Sequence, residues 1–213
     1  MPPIQSIRDT IRQKWLHMDW RAVSVIVLST LLLGLRYYNR VSGNYYLDGL
    51  LFYLAVPLFT ILLVFRESPG QYGFSIGDWR AGLWISLACM LIMTGVLFFV
   101  ARTPDFRAYY SSWYGSTAQA VGLTAADLFG WEFFFRGFLL FGLARISGPY
   151  AIFLQAVPFT LAHFGKPQLE TLSCIFGGAI FGWIAWRTRS FLYPFLIHWY
   201  IGVITILFAK SNF

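Results

Sequence analysis

Apolar stretches that approach or exceed the roughly 18–20 residues needed to cross a bilayer recur along almost the whole chain. They read as about seven spans, at 22–38, 46–65, 81–101, 119–143, 149–163, 168–186 and 191–209. Short polar or Gly/Pro-rich turns separate them, such as Ser68-Pro69-Gly70, Gly148-Pro149 and Gly165-Lys166-Pro167. The expected fold is an all-α, polytopic transmembrane helical bundle. Spans and loops use nearly all 213 residues, so 1–213 reads as a single integral membrane domain with no room for a second, soluble one. Composition agrees: 58% of residues are hydrophobic and 12% charged, against roughly 25% charged in an ordinary soluble domain.

The net charge of +7 is carried by residues at span ends, where anionic lipid is the expected partner. No basic stripe with interleaved stacking aromatics lies on a polar segment, so nucleic acid is not expected as a partner. Before the first span, Ile4, Ile7, Ile11 and Trp15 share one helical stripe, with Arg8, Arg12 and Lys14 elsewhere. That pattern predicts a short amphipathic helix lying on the membrane surface. Residues 1–21 lack the pattern of a cleavable signal peptide, so the first span is expected to act as an uncleaved anchor. Inner flanks would hold nine basic residues and outer flanks six with the N-terminus inside, which favours a cytoplasmic N-terminus. The expected location is a bacterial plasma membrane. Cys89 and Cys174 both lie within spans and form no Cys-x-x-Cys pair; they read as free buried thiols.

One acid and one arginine interrupt the oiliest span, in Trp131-Glu132-Phe133-Phe134-Phe135-Arg136-Gly137-Phe138. At a separation of four, Glu132 and Arg136 share a helix face. An ionisable group in such a segment costs about 2.5–3.5 kcal/mol on insertion scales, and it usually faces a protein-lined cavity. His163 ends the fifth span, and His198 sits in the seventh, four residues after Pro194, whose missing N–H is expected to open the helix. Glu170 falls in the first turn of the sixth span, where the helix dipole favours a carboxylate. A carboxylate and a histidine that share one water, or a metal that acidifies it, make a sufficient hydrolytic device. A second imidazole can then donate to the oxyanion. Neither Gly-x-Ser-x-Gly nor His-Glu-x-x-His occurs. The same residues also read as structure alone: a neutralised Glu132–Arg136 packing pair, an interfacial His163 and an ordinary helix-start charge at Glu170. His17 and Asp127 read as polar residues without a catalytic part. Gly178 and Gly182, a small-xxx-small pair, read as a helix contact.

These residues resemble the CPBP family of intramembrane proteases, which includes type II CAAX prenyl endopeptidases and bacterial Abi-type proteins. The family pattern is Glu-Glu-x-x-x-Arg on one helix, Phe-x-x-x-His on a second, and His-x-x-x-Asn or a small residue on a third. Glu132 and Arg136 fit the second Glu and the Arg; Phe159 and His163 fit the second motif; His198 fits the start of the third. The resemblance covers roughly 70–205. It departs at Trp131, which stands where the first, water-activating Glu would be, and at Gly202, which stands where Asn would assist the oxyanion.

The resemblance implies an endopeptidase acting on a membrane-associated protein or peptide, with CAAX-type prenylated proteins as the substrate class it suggests. In that reading Glu132 is the base, oriented by Arg136, His163 holds the water and His198 stabilises the oxyanion. Glu170 is the alternative source of the missing carboxylate. Glu132, His163 and His198 also form a two-His-one-carboxylate set of the kind that binds zinc, so the expected cofactor is zinc or none. Two rival readings keep the polar core without the hydrolysis: a membrane interaction or Abi-like immunity protein, and a small transporter with a proton relay.

Overall fold

The computed structural model describes residues 19–39 and 41–211. The expected surface helix over 3–17, and His17, lie outside these residues. Helix α1 (Trp20–Tyr38) starts where the Asp19 carboxylate accepts the Arg21 amide, and α2 (Tyr45–Phe65) where Asn44 accepts the amides of Tyr46 and Leu47. Two π-helical stretches, Leu51–Ala55 and Thr60–Phe65, lie within α2. Helix α3 (Trp79–Val100) is capped by Asp78 and followed by a short α4 (Pro104–Tyr110), inside what reads from sequence as a polar loop. Helix α5 runs over 117–147, with a π-helical stretch at Phe133–Leu139. Gly148, at φ 54°, ends it with a left-handed residue that glycine takes without strain. A short α6 (151–161), jointed at Gln155, then leads to α7 (Gln168–Thr188) and α8 (Leu192–Lys210).

All seven expected spans are helical. Among the described residues six helices are long and apolar enough to cross a membrane, because the fourth and fifth expected spans form one 45-residue segment, Thr117–Leu161. Beyond the Gly148 break, α6 rises only about 16 Å, half a bilayer's hydrocarbon thickness. It therefore leaves its C-terminal turn, and His163, within the protein.

Helix α5 is the axis of the bundle: every residue from 132 to 143 is buried. Helix α3 is peripheral, and Trp84, Leu91 and Phe99 on it are more than 70% exposed, as lipid-facing side chains should be. Apolar burial does little to join helices in lipid, so close packing and interhelical hydrogen bonds must do it. Gly178 and Gly182 show how. An added Cβ at Gly178 would lie 3.0 Å from Ala156 and Phe159, and one at Gly182 would lie 2.6 Å from Gln155 Nε2. The Gln155 amide nitrogen uses that closeness to donate to the carbonyls of Ile152 and Gly178, both at 2.8 Å.

Outside the spans, the loop after α2 is clasped to the turn before α8. Asp78 N–H donates to the Thr188 carbonyl (2.8 Å), Phe191 N–H to Gly73 (3.1 Å), and the Ser75 hydroxyl to Arg189 (2.8 Å). The Tyr193 hydroxyl donates to Ile76 (2.8 Å). At one end of the bundle, Arg145 pairs with Asp19 and Glu67 and ties α5 to α1 and α2.

Candidate active site

Glu132 ends the regular α-helical turns of α5, and the π-helical stretch begins at the next residue. A π-helical turn takes an extra residue and recurs at functional sites. Its carboxylate is fully buried and has two partners. Oε1 lies 2.6 Å from His198 Nδ1 on α8, and Oε2 lies 3.4 Å from Arg136 Nε. The Arg136 nitrogens make no hydrogen bond to a described residue. The guanidinium instead sits 3.9 Å from the centre of the Phe159 ring and 5.4 Å from that of Phe181. Charge attraction to Glu132 and to ring faces holds it there.

His163 lies in the turn after α6, and its Nδ1 is 2.8 Å from the Phe159 carbonyl. A carbonyl only accepts, so Nδ1 carries the proton and Nε2 keeps its lone pair. The His163 and His198 rings face each other across 6.3 Å, 23° from parallel. Phe159 touches both rings, at 4.5 and 6.0 Å, and Phe181 lies 5.6 Å from His198. Glu132, Arg136, His163 and His198 therefore come together from α5, α8 and the α6–α7 turn.

Glu170 does not join them. Its Oε1 takes Lys166 Nζ at 2.8 Å, and its Oε2 takes the Tyr110 hydroxyl at 2.6 Å. This pairing binds the α6–α7 turn to α4. It overturns the expectation that Glu170 supplies a carboxylate to the histidines. The Lys166–Glu170 spacing of four was the available signal, since it is that of a helical ion pair. Tyr110 belongs to a helix hidden in the polar loop and gave none.

The zinc-type set of Glu132, His163 and His198 is likewise not assembled. Among the described residues no group of three His, Cys, Asp or Glu side chains is arranged to hold a metal ion. The Glu132 oxygens are committed to Arg136 and His198, and His163 turns Nδ1 onto its own helix.

Trp131, at the position of the absent first Glu, sets its ring against His163 at 5.6 Å and against Tyr53 at 5.4 Å. It is a wall of the site. At Gly202 an added Cβ would lie 3.1 Å from the Thr124 methyl, so this position is where α5 and α8 approach. Pro194 falls in the first turn of α8, where no helical carbonyl awaits its missing N–H, and it opens nothing. Asp127 is half-buried, with Oδ1 3.0 Å from where a Cβ at Gly49 would stand. Cys89 and Cys174 are free thiols.

No curated protein and no solved structure matches the chain significantly. A family model does match, and it supports the resemblance to the CPBP proteases read from the motifs. Residues 113–204, which carry Glu132, Arg136, His163 and His198, match the model described as Type II CAAX prenyl endopeptidase Rce1-like, so the polar centre of this integral membrane protein lies in the part of the chain that is similar to that family.

Proposed function

We propose that this protein is an intramembrane endopeptidase that hydrolyses a peptide bond of a membrane-associated substrate of the prenylated CAAX class. The observation that carries the reading is the 2.6 Å contact between Glu132 Oε1 and His198 Nδ1, made opposite the His163 ring. A carboxylate accepts, so it fixes the His198 proton on Nδ1 and leaves the Nε2 lone pair free to take a proton. That arrangement is the carboxylate–imidazole half of a catalytic triad, with water in place of the serine.

The roles that follow differ from those the motifs imply. His198 is the base, and Glu132 is its positioning residue and the counter-charge of the imidazolium that forms. His163, whose Nε2 is also an acceptor, holds the same water by its second hydrogen. The water oxygen attacks the scissile carbonyl carbon as its proton passes to His198 Nε2. The tetrahedral adduct then collapses, the C–N bond breaks, and His198 returns that proton to the leaving amine. Arg136 stays out of the reaction and faces the second carboxylate oxygen of Glu132.

The test is hydrolysis of an S-prenylated peptide by the purified protein in proteoliposomes. Wild type should cleave, and His198→Ala and His163→Ala should lose about 100- to 10,000-fold, the usual range for positioned acid–base groups. Glu132→Gln should keep the fold of the site but lose most of the rate. Undiminished cleavage by His198→Ala would refute the mechanism. A folded wild type that cleaves no such peptide would instead favour a membrane interaction protein with the same polar core.

A further inference from the structure

Three cations meet at the end of α8, and the hydrolytic chemistry has no use for them. Arg102, two residues past α3, lays its guanidinium 3.8 Å from the centre of the Phe98 ring and 5.4 Å from that of Phe208. Arg107 on α4 donates from Nη2 to the Ser211 carbonyl at 3.0 Å. Lys210, in the last turn of α8, donates from Nζ to the Tyr114 carbonyl. All three therefore surround residues 208–211. Among the described residues none of them pairs with a carboxylate. The other end of the bundle is different: Arg21 pairs with Glu67, Arg145 with Asp19 and Glu67, and Arg187 with Asp78. The carbonyl end of α8 offsets only about half an elementary charge. Most of the positive charge is left for an anion, and guanidinium groups suit a phosphate.

Depth says what carries that phosphate. Helix α3 faces lipid up to Phe99, which is 74% exposed. Just beyond, the rings of Tyr109, Trp113 and Tyr114 pack on one another, as aromatic side chains do at the membrane–water interface. Arg102 lies between the two, half-buried, at the level of a phospholipid headgroup. The exposed rings of Phe98 and Phe99 offer an acyl chain a surface that a free phosphate could not use.

What anchors α4 also bears on the candidate active site. Phe106 and Tyr110 of α4 are buried, and the Tyr110 hydroxyl donates to Glu170 at 2.6 Å. Next to Glu170, the Thr171 hydroxyl donates to the His163 carbonyl at 2.9 Å. A contact made by Arg107 is thus passed along α4 to the turn that carries His163.

We propose that an anionic phospholipid binds at the end of α8, its phosphate on Arg102, Arg107 and Lys210 and an acyl chain along Phe98 and Phe99, and that through α4 it steadies the α6–α7 turn. This goes beyond the hydrolytic reading and does not depend on it.

The experiment reads binding by native mass spectrometry of the whole protein in neutral detergent, with phosphatidylglycerol or phosphatidylcholine of the same acyl chains. Wild type should hold the anionic lipid about 10- to 100-fold more tightly. Arg102→Gln should remove about fivefold or more of that preference and leave phosphatidylcholine binding as it was, with Arg102→Lys losing less. Arg80→Gln, at the opposite end of α3, should change nothing. Hydrogen exchange in bicelles should slow over α4 and residues 162–171 when phosphatidylglycerol is added to phosphatidylcholine, in wild type and not in Arg102→Gln. Equal affinity for the two lipids, or a preference that Arg80→Gln lowers as much as Arg102→Gln, would mean diffuse attraction and overturn the proposal. Displacement of the lipid by an equal concentration of inorganic phosphate would mean a site for a soluble anion and overturn it too. Binding that leaves exchange over 162–171 unchanged would overturn the coupling through α4. None of these readouts needs a cleaved peptide, so failure of the hydrolytic reading would leave them intact.

Discussion

The buried Glu132–Arg136 pair sets a stability that can be worked out and measured. The carboxylate and guanidinium are 3.4 Å apart, and both side chains are fully buried. At an effective dielectric of about 20, that distance gives an attraction of about 5 kcal/mol. Desolvation offsets much of it, so the intact pair need not stabilise the bundle at all. Removing one member is a different matter. Arg136→Met would leave the Glu132 carboxylate with only His198 as partner. Glu132→Gln would leave a guanidinium among Phe159, Phe181 and Phe135 with no anion. Each single change should cost about 3–5 kcal/mol, as for other broken buried pairs. The double change leaves no uncompensated charge, while Gln still accepts from His198, so it should cost less than either single one. A double-mutant cycle on unfolding free energies in micelles should therefore give a coupling of about 3 kcal/mol or more. A coupling below about 1 kcal/mol, the size of an exposed pair, would show that the two groups are not both charged and would refute the reasoning.

Other outcomes follow from the same contacts. Gln155→Leu removes two 2.8 Å hydrogen bonds, one within α6 and one from α6 to α7, and should cost about 1–3 kcal/mol in thermal unfolding; no shift in midpoint would show that the bonds add nothing. Gly182→Ala should strike the same spot, because its Cβ would lie 2.6 Å from Gln155 Nε2, and its effect should not add to that of Gln155→Leu. The Ala81 amide and the Arg187 guanidinium hold the Asp78 carboxyl below its ordinary value of 3.8. Its contribution is complete above that value and is lost as pH falls below it, so Asp78→Asn should flatten the acid-induced loss of stability below about pH 4. An unchanged acid limb would speak against the cap. Hydrolysis should survive strong chelators, since both Glu132 oxygens already face Arg136 and His198 and among the described residues no group of three ligating side chains is arranged for a metal; loss of activity restored by zinc alone would overturn that assignment.

Much of this architecture is written in apolar run lengths, and helix ends fall within a few residues of where those runs end. Bilayer thickness and the need to pair backbone groups within a segment leave little freedom there. Glu132–Arg136 was legible for a similar reason, since a separation of four is local geometry. The partner of Glu132 was not: His198 is 66 positions away, and which imidazole meets the carboxylate depends on how α5 and α8 are rotated. The π-helical stretch at 133–139 changes that rotation in a way that a straight 3.6-residue period does not show. Glu170 misled because its partner Tyr110 lies on a helix within a stretch whose polarity reads as loop. Pro194 misled because its effect depends on its position in the helix, and a shift of a few residues turns a break into a harmless start.

The clasp between the loop after α2 and the turn before α8 has a consequence for the order of synthesis. Ser75 and Arg189 are 114 positions apart. Helices α1 to α3 are therefore in the bilayer long before the loop between α2 and α3 meets the residues that hold it. Until then the carbonyls of Gly73 and Ile76 and the amide of Asp78 face headgroup water. The fastening of this loop thus records that α8 has arrived. A ribosome halted before Thr188 would leave that loop open to a protease that a finished molecule resists, so nicking between 66 and 78 would report an incomplete chain.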